Sequence, residues 1–147
     1  VLDARRRMGL RNSAHSVVKL MHPLHGTASQ ARTLVIGSYT HAEYAQSMEE
    51  IIGLMGSNAL LLRGTEGEGV ADTRRLRQIN GYVRGEPVRL VEAQTGSLAE
   101  QPGLPERIDA ATTAHYIAEV LSGARPVPEP IARQVQAVQE LVARIEA

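Results

Sequence analysis

The sequence predicts a single α/β domain over residues 1–147, built on an open, mostly parallel sheet that is flanked by helices. Residues 59–62 are Ala-Leu-Leu-Leu, a short apolar run typical of a strand that is buried on both faces. An earlier apolar run at 33–37 is joined to it by an amphipathic helical pattern, and together the three segments form a βαβ unit. Two further helical patterns follow near the end of the chain, and they supply the remaining helical layer.

The segment before the first strand predicts two helical pieces. Residues 3–8 have the composition of a helix end, and a glycine then interrupts the pattern. Asn12 or Ser13 is expected to cap a second helix, in which apolar residues recur at helical spacing until Pro23 stops it. Residues 26–31 are small and polar, so they predict a loop.

A capping box predicts the start of the helix inside the βαβ unit. Thr40 is followed three residues later by Glu43, so the two side chains are expected to satisfy backbone N–H groups of the first turn. Gly56 and Ser57 end the helix before the next strand. Its apolar residues fall on one face of a 3.6-residue period: Tyr44, Met48, Ile51, Ile52 and Met55.

Two short extended segments follow the central run. Residues 78–83 and 87–91 flank a turn at 84–86, and they predict a hairpin or two short edge strands. Pro87 suits an edge strand, because proline has no N–H group to donate to a neighbouring strand.

Two helices are predicted at the end of the chain. Asp109 is expected to cap the first, which runs through Leu121 before Gly123 and Pro126 close it. The second begins near Pro130. Its apolar stripe packs either on the sheet of its own domain, which we favour, or on a helical domain that this sequence lacks. The stripe consists of Ile131, Val135, Val138, Val142 and Ile145.

Composition excludes several classes of function. The chain has no cysteine, so it holds no disulfide, thiolate metal site or cysteine nucleophile. The chain has four tyrosines and no Phe or Trp, which is too few aromatic residues for a protein that binds single-stranded nucleic acid by stacking its bases. The spacing of His15, His22 and His25 differs from a zinc quartet, so we expect no metal site. No apolar run reaches the ~18 residues that span a bilayer and no signal peptide is visible, so we expect a cytoplasmic protein without a membrane partner.

Charge is distributed unevenly along a chain whose net charge is zero. Residues 1–33 hold six basic side chains against one acid, whereas residues 91–147 hold four arginines against eight acids. The basic first segment predicts a phosphate or polyanion partner, and the alternative is a solvated helical turn that packs on an absent upstream partner. The residues we assign to phosphate or nucleic-acid binding are Arg5, Arg6, Arg7, Arg11 and Lys19.

A glycine-rich, charged loop follows the central strand. Ligands of open α/β sheets bind at the carboxyl ends of the strands, so this loop is the first candidate site. The alternative is a flexible, solvated connection. Gly64, Gly67 and Gly69 do not match the dinucleotide-binding fingerprint, because their order is reversed and no helix opens after them. A basic tail at 74–77 follows and extends the positive surface through Arg74, Arg75 and Arg77.

Four motifs together resemble a known family. They are R-R-R-M-G-L-R-N-S-A-H-S at 5–16, K-L-M-H-P-L at 19–24, L-L-L-R-G-T-E-G-E at 60–68 and T-T-A-H-Y-I-A-E-V-L-S-G-A-R-P-V-P-E at 112–129. Over roughly residues 3–130 the chain resembles the C-terminal α/β domain of the anthranilate phosphoribosyltransferase family (glycosyltransferase family 3). The resemblance is closest to the divergent YbiB-type branch, which is regarded as DNA-binding rather than biosynthetic. The resemblance implies that the chain folds as part of a phosphoribosyltransferase or nucleoside phosphorylase-like catalytic domain.

The departures from that family bear on catalysis. Its enzymes carry an upstream glycine-rich loop for pyrophosphate and an N-terminal helical domain, and this chain has neither. The adjacent Asp and Glu that hold magnesium in the enzymes would fall at Gly69 and Val70, where no carboxylate stands. By this resemblance, Arg5 aligns with the arginine that binds the anthranilate carboxylate in the enzymes. Here it belongs to a run of three arginines, which could equally bind phosphate groups.

The sequence therefore predicts a nucleic-acid-binding protein with weak sequence preference, without catalysis or a cofactor in this chain, and homodimeric at full length. The alternative is a phosphoribosyltransferase that uses Mg²⁺ and phosphoribosyl diphosphate and needs the missing N-terminal part. A third possibility is that the chain only scaffolds a dimer. The loop residues that we expect near a ligand are Asn12, His15, Arg63, Gly64, Thr65, Glu66 and Glu68.

Overall fold

The computed structural model describes residues 18–22, 24, 26–27, 29–65, 68–98 and 103–147. Within them lie a four-stranded sheet and three α-helices. The strands are β1 (Val35–Tyr39), β2 (Ala59–Arg63), β3 (Ile79–Val83) and β4 (Glu86–Val91). The helices are α1 (Ala42–Met55), α2 (Ala110–Leu121) and α3 (Glu129–Glu146), and a short 3-10 helix covers Gln30–Arg32. The predicted start of a helix at Asn12 or Ser13 lies outside the described residues.

The sheet is mixed, in the order β1-β2-β3-β4. β1 and β2 are parallel, whereas β2 with β3 and β3 with β4 are antiparallel, so the expectation of a mostly parallel sheet was wrong. The physical reason lies in the connections. A two-residue turn returns the chain antiparallel, and the described part of the link at residues 64–78 contains no helix that could serve as a crossover.

The β3–β4 connection is a tight hairpin. Arg84 (φ 52°) and Gly85 (φ 84°) both adopt the left-handed conformation, which gives the turn that matches the twist of two antiparallel strands. A Cβ on Gly85 would lie 2.9 Å from the Gly53 carbonyl oxygen, so this position also needs glycine for space. The predicted hairpin is confirmed, and Pro87 lies on the outer strand β4 as expected.

Strand β2 forms the centre of the core, as predicted. Residues 59–62 are all at most 1% exposed. Because side chains alternate across a strand, Ala59 and Leu61 face one helix and Leu60 and Leu62 face the other. The α1 side of the sheet buries Leu20, Met48, Ile52, Ala59, Leu61 and Tyr82, and the α3 side buries Leu60, Leu62, Ile79, Ala137 and Leu141.

Asn58 ties the chain before β1 to the hairpin turn. Its side-chain amide donates to the carbonyl oxygens of Ala31 (3.0 Å) and Thr33 (3.3 Å), and its side-chain oxygen accepts from the Arg84 N–H (2.8 Å). The residue is buried, where each unsatisfied group would cost about 1–3 kcal/mol. These three bonds therefore fix the start of β1 relative to the β3–β4 turn, which lies at the same end of the sheet.

Helix α1 begins one residue later than its sequence predicts. His41 is the N-cap and makes no side-chain capping bond, so the expected Thr40–Glu43 capping box is absent. Thr40 instead lies at the end of β1, where it lines the cleft described below. Met48 and Ile52 are buried as predicted, and Gly56 ends the helix in the left-handed conformation.

Helix α2 is capped as predicted. Asp109 accepts from the Thr112 N–H (2.9 Å) and from the Thr112 hydroxyl (3.0 Å). Both hydrogen bonds favour the charged form of the Asp109 carboxyl and so lower its pKa below the ordinary value. The bond from the Thr112 backbone N–H has the larger effect, and the bond from the Thr112 hydroxyl follows. The helix nevertheless buries none of its residues.

Helix α3 packs on the sheet of its own domain, but its buried face is not the predicted one. The buried residues are Pro130, Gln134, Ala137 and Leu141. Of the expected stripe, Val135 and Val142 are exposed and the other three residues are only half-buried. The stripe lies beside the sheet-facing side of the helix rather than on it. No helix in the described part of the chain has both the length and the apolar composition needed to cross a bilayer.

Candidate anion-binding cleft

An open cleft of about 500 Å³ lies where the parallel strands β1 and β2 end. This is the edge at which open α/β sheets bind their ligands. The residues around the cleft share basic or hydroxyl side chains, apart from one glycine and one carboxylate. They are Thr40, Arg63, Gly64, Thr65, Asp72, Arg74, Arg75, Arg77 and Ser97.

The end of β2 positions Arg63 at the mouth of the cleft. The Gly64 N–H donates to the Tyr39 carbonyl oxygen (3.0 Å), which keeps β2 paired with β1 to its last residue. Arg63 is the last residue of β2 and is exposed. A Cβ on Gly64 would lie 2.8 Å from the Glu68 carbonyl oxygen, so only glycine fits where the loop folds back.

Glu68 closes the loop that follows. One oxygen of its carboxylate accepts from the Thr65 N–H (2.8 Å) and from the Thr65 hydroxyl (2.7 Å). This carboxylate lines a neighbouring groove, which shares Thr65, Asp72 and Arg74 with the cleft.

Asp72 orients the basic segment. Its carboxylate, which is 8% exposed, accepts from the Arg74 N–H (3.1 Å) and from Arg74 Nε (3.4 Å). Backbone bonds from Leu98 to Arg74 (3.1 Å) and from Gln94 to Leu76 (3.0 Å) bring residues 94–98 alongside, which places Ser97 at the cleft.

The cleft is strongly positive. It contains four guanidinium groups and one carboxylate, and Arg74 alone is paired with that carboxylate. Arg63, Arg75 and Arg77 form no ion pair within the described part of the chain. Burial, followed by the Glu49 charge, raises the pKa of the nearby Tyr39 phenol, while Arg63 and Arg77 oppose that rise.

Such an arrangement can bind anions. Arginine forks match phosphate oxygens with two parallel bonds, and the hydroxyls of Thr40 and Ser97 can donate to the same oxygens. Among the residues that the structure describes, no three His, Asp or Glu side chains form a group that could hold a metal ion.

The structure brings together some of the predicted site residues. Arg63, Gly64 and Thr65 line the cleft, and so does the basic tail that was expected only to extend the positive surface. Lys19 lies elsewhere and donates to the Ser38 carbonyl (3.1 Å) and hydroxyl (3.5 Å) at the β1 edge. The predicted residues that lie outside the described part are Arg5, Arg6, Arg7, Arg11, Asn12, His15 and Glu66.

Three cleft residues were missed by sequence reasoning: Thr40, Asp72 and Ser97. Thr40 had a usable signal, because it follows a strand that is parallel to β2 and so ends at the same edge. Asp72 lies two residues before the basic tail, a spacing that suits a local ion pair. No sequence pattern marks Ser97 as a cleft residue, because hydrogen bonds between distant backbone segments bring it to the cleft.

The fold and the cleft define a small α/β protein with a mixed sheet and a basic site at the carboxyl ends of its parallel strands. No protein-family model matches the chain. The chain is 38% identical over 146 residues, 99% of its length, to a protein of Escherichia coli (strain K12) that carries the name "Uncharacterized protein YbiB". The chain spans 43% of the length of that curated relative.

Proposed function

We propose that the chain is the C-terminal α/β portion of an anthranilate phosphoribosyltransferase-like protein and that it binds nucleic acid without catalysis of its own. The observation that carries the proposal is the convergence of Arg63, Arg75 and Arg77, none of them in a described ion pair, on one open cleft. Similarity to YbiB along almost the whole chain supports the family, and the motif resemblance to its DNA-binding branch supports the ligand class.

Electrostatics determines what kind of binding to expect. Each arginine that neutralises a backbone phosphate releases condensed counterions, so affinity falls steeply with salt. The cleft is lined by arginines and hydroxyls but by no aromatic side chain in its described part, so it offers phosphate contacts rather than base stacking. Phosphate contacts position a nucleic acid without reading its sequence, which is why we expect weak sequence preference.

The test compares two triple variants that remove the same charge. Arg63, Arg75 and Arg77 are changed to alanine in one, and Arg89, Arg133 and Arg144 in the other, where each arginine is paired with a nearby glutamate. Fluorescence anisotropy with labelled duplex and single-stranded oligonucleotides is recorded between 50 and 200 mM salt. We expect the cleft variant to lose at least about tenfold in affinity and its log–log salt slope to become shallower by up to about 2.7.

The control variant should bind almost as the wild type does. Equal losses in both variants would show that net charge, rather than the cleft, governs binding, and salt-independent binding would reject the phosphate mechanism. A third variant, with Arg5, Arg6 and Arg7 changed to alanine, tests the basic segment that the sequence predicts independently of the cleft.

One observation favours a second candidate function. A cleft of about 500 Å³ at the ends of two parallel strands has the size and place of a site for a sugar diphosphate. Under this alternative the longer protein is a phosphoribosyltransferase that uses Mg²⁺ and phosphoribosyl diphosphate. Release of pyrophosphate from phosphoribosyl diphosphate by the full-length relative, lost when the arginine aligned with Arg63 is removed, would favour the enzyme over the binder.

A further inference from the structure

Helix α3 carries a second apolar surface beside the one that faces the sheet. Its β-branched residues recur at alternating steps of four and three, the spacing with which one helix packs along another. They form a seam of two heptads, which we call the α3 seam: Ile131, Val135, Val138, Val142 and Ile145.

The sheet covers only one margin of this seam. The residues that α3 buries most deeply, with Leu141 at 0% exposed, project to one side of it. Val138 packs partly against the same core, whereas Val135 is 51% exposed and Val142 is 39% exposed. Among the described residues, this half-covered β-branched seam leaves an apolar strip along α3 that a further helix could cover.

We propose that the α3 seam is a docking surface for a second α-helix, supplied by the part of a longer protein of this kind that the present chain lacks. The length of the relative points to this occupant, because more than half of that protein has no counterpart in these 147 residues.

The size of the seam argues against a second copy of the chain. Fifteen residues at 1.5 Å each give a seam roughly 22 Å long, and a helix contact strip roughly 10 Å wide then buries roughly 200 Å² per partner. A stable dimer needs about 800 Å² per partner. A helix of the same polypeptide is held at an effective concentration in the millimolar range, so a small surface is sufficient for it.

The surroundings of the seam fit permanent burial. Ala132 and Gln139, which flank it on the open side, carry no charge that a covering helix would have to bury, and the charged Glu146 on that side lies only in the last turn. Helix α2 shows a similar condition independently, since five apolar residues along one of its faces are exposed, with Leu121 at 83%. These α2 positions are Ala110, Ala114, Ile117, Ala118 and Leu121.

Cysteine accessibility tests the proposal, because the chain has no cysteine of its own. Single variants Val135→Cys and Val142→Cys probe the seam, and Gln136→Cys and Ala143→Cys are matched controls on the opposite, exposed side of α3. The same four positions are changed by alignment in a cysteine-free version of the full-length E. coli relative. The rate of reaction with a small maleimide is measured for each variant.

In the present chain all four thiols should react at rates within about threefold of one another. In the full-length relative, the two seam thiols should react at least 100-fold more slowly than the two controls. Fast reaction of the seam thiols in the relative would overturn the proposal, since no helix would then cover them. Protection in the present chain that rises with protein concentration would also overturn it, because the occupant would be a second copy.

Discussion

At the scale of single residues, Gly81 sets how closely helix α3 approaches the sheet. It lies in β3 between Leu60 of β2 and Val88 of β4. A Cβ built on Gly81 would lie 2.7 Å from Leu90 Cδ1 and 2.8 Å from Leu141 Cδ2. Leu141 is fully buried, so its side chain rests directly on the backbone of β3 within a packed core.

Gly81→Ala is therefore expected to destabilise the protein by about 1–3 kcal/mol, since an added methyl overpacks a close-packed core. Gly53→Ala is the matched control: it lies in helix α1, is exposed, and its new Cβ would have only the Gly85 carbonyl oxygen nearby, at 3.9 Å. That control should stabilise by about 0.5–1 kcal/mol through helix propensity. Urea unfolding measures both, and equal stabilities would show that α3 stands further from β3 than described.

At the scale of elements, the sequence correctly predicted the features that depend only on neighbouring residues. The apolar run of β2, the turn of the hairpin and the Asp109 cap of α2 all follow from adjacent residues, and all three were confirmed. The buried face that we predicted for α3 was wrong, because the hydrophobic pattern marks the seam as the apolar face, whereas the sheet contacts the side of the helix next to the seam. The cleft was predicted in part, since Arg63 and Gly64 directly follow the apolar run at 59–62, whereas Ser97 is brought to the cleft by backbone bonds between distant segments.

Gln134 connects helix α3 to the loop beside the cleft. It is buried, its side-chain amide donates to the Gly69 carbonyl oxygen (2.8 Å), and its side-chain oxygen accepts from the Ala71 N–H (2.8 Å). A glutamine in the buried face lowers the apolar signal of that face, which is a further reason why the pattern pointed elsewhere. In return, it satisfies two backbone groups of the loop that follows β2.

Gln134→Ala should destabilise the protein by about 1–3 kcal/mol, because the Ala71 N–H and the Gly69 carbonyl lose their buried partners. Hydrogen exchange gives the decisive measurement: the Ala71 amide should lose its protection, while amides at the centre of β2 keep theirs. Gln136→Ala, at an exposed position of the same helix, should change neither quantity. Unaltered Ala71 protection in Gln134→Ala would mean that the loop is held by other contacts.

At the scale of the whole molecule, the two faces of the sheet are held differently. The α3 face is apolar apart from Gln134, whereas the α1 face contains a polar group of side chains beneath the helix. There the Glu49 carboxylate of α1 accepts from the Asn80 amide (3.0 Å), and its charge helps to raise the pKa of the Tyr82 phenol. Helix α1 is thus joined to β3 by a hydrogen bond as well as by packing, and the buried phenol beside this bond makes the contact sensitive to protonation.

The protonation of Tyr82 links global stability to alkaline pH. Tyr82 is 5% exposed, and burial first, then the charge and hydrogen bond of Glu49, raise the pKa of its phenol far above the ordinary value near 10. As pH rises past 10, the unfolded chain releases this proton while the folded chain keeps it. Stability is therefore fully present below pH 10 and is lost above it at about 1.4 kcal/mol per pH unit.

Tyr82→Phe should flatten this alkaline loss, leaving the part due to Tyr39, whose pKa is raised in the same direction. Urea unfolding between pH 8 and pH 11 measures the profile, and the exposed Tyr44→Phe is the control, which should follow the wild type. Tyr82→Phe is expected to lose some stability at pH 8, because the phenol hydroxyl no longer interacts with the Glu49 carboxylate. The two free-energy curves should then converge as pH rises. Parallel curves would show that the Tyr82 proton is not linked to folding.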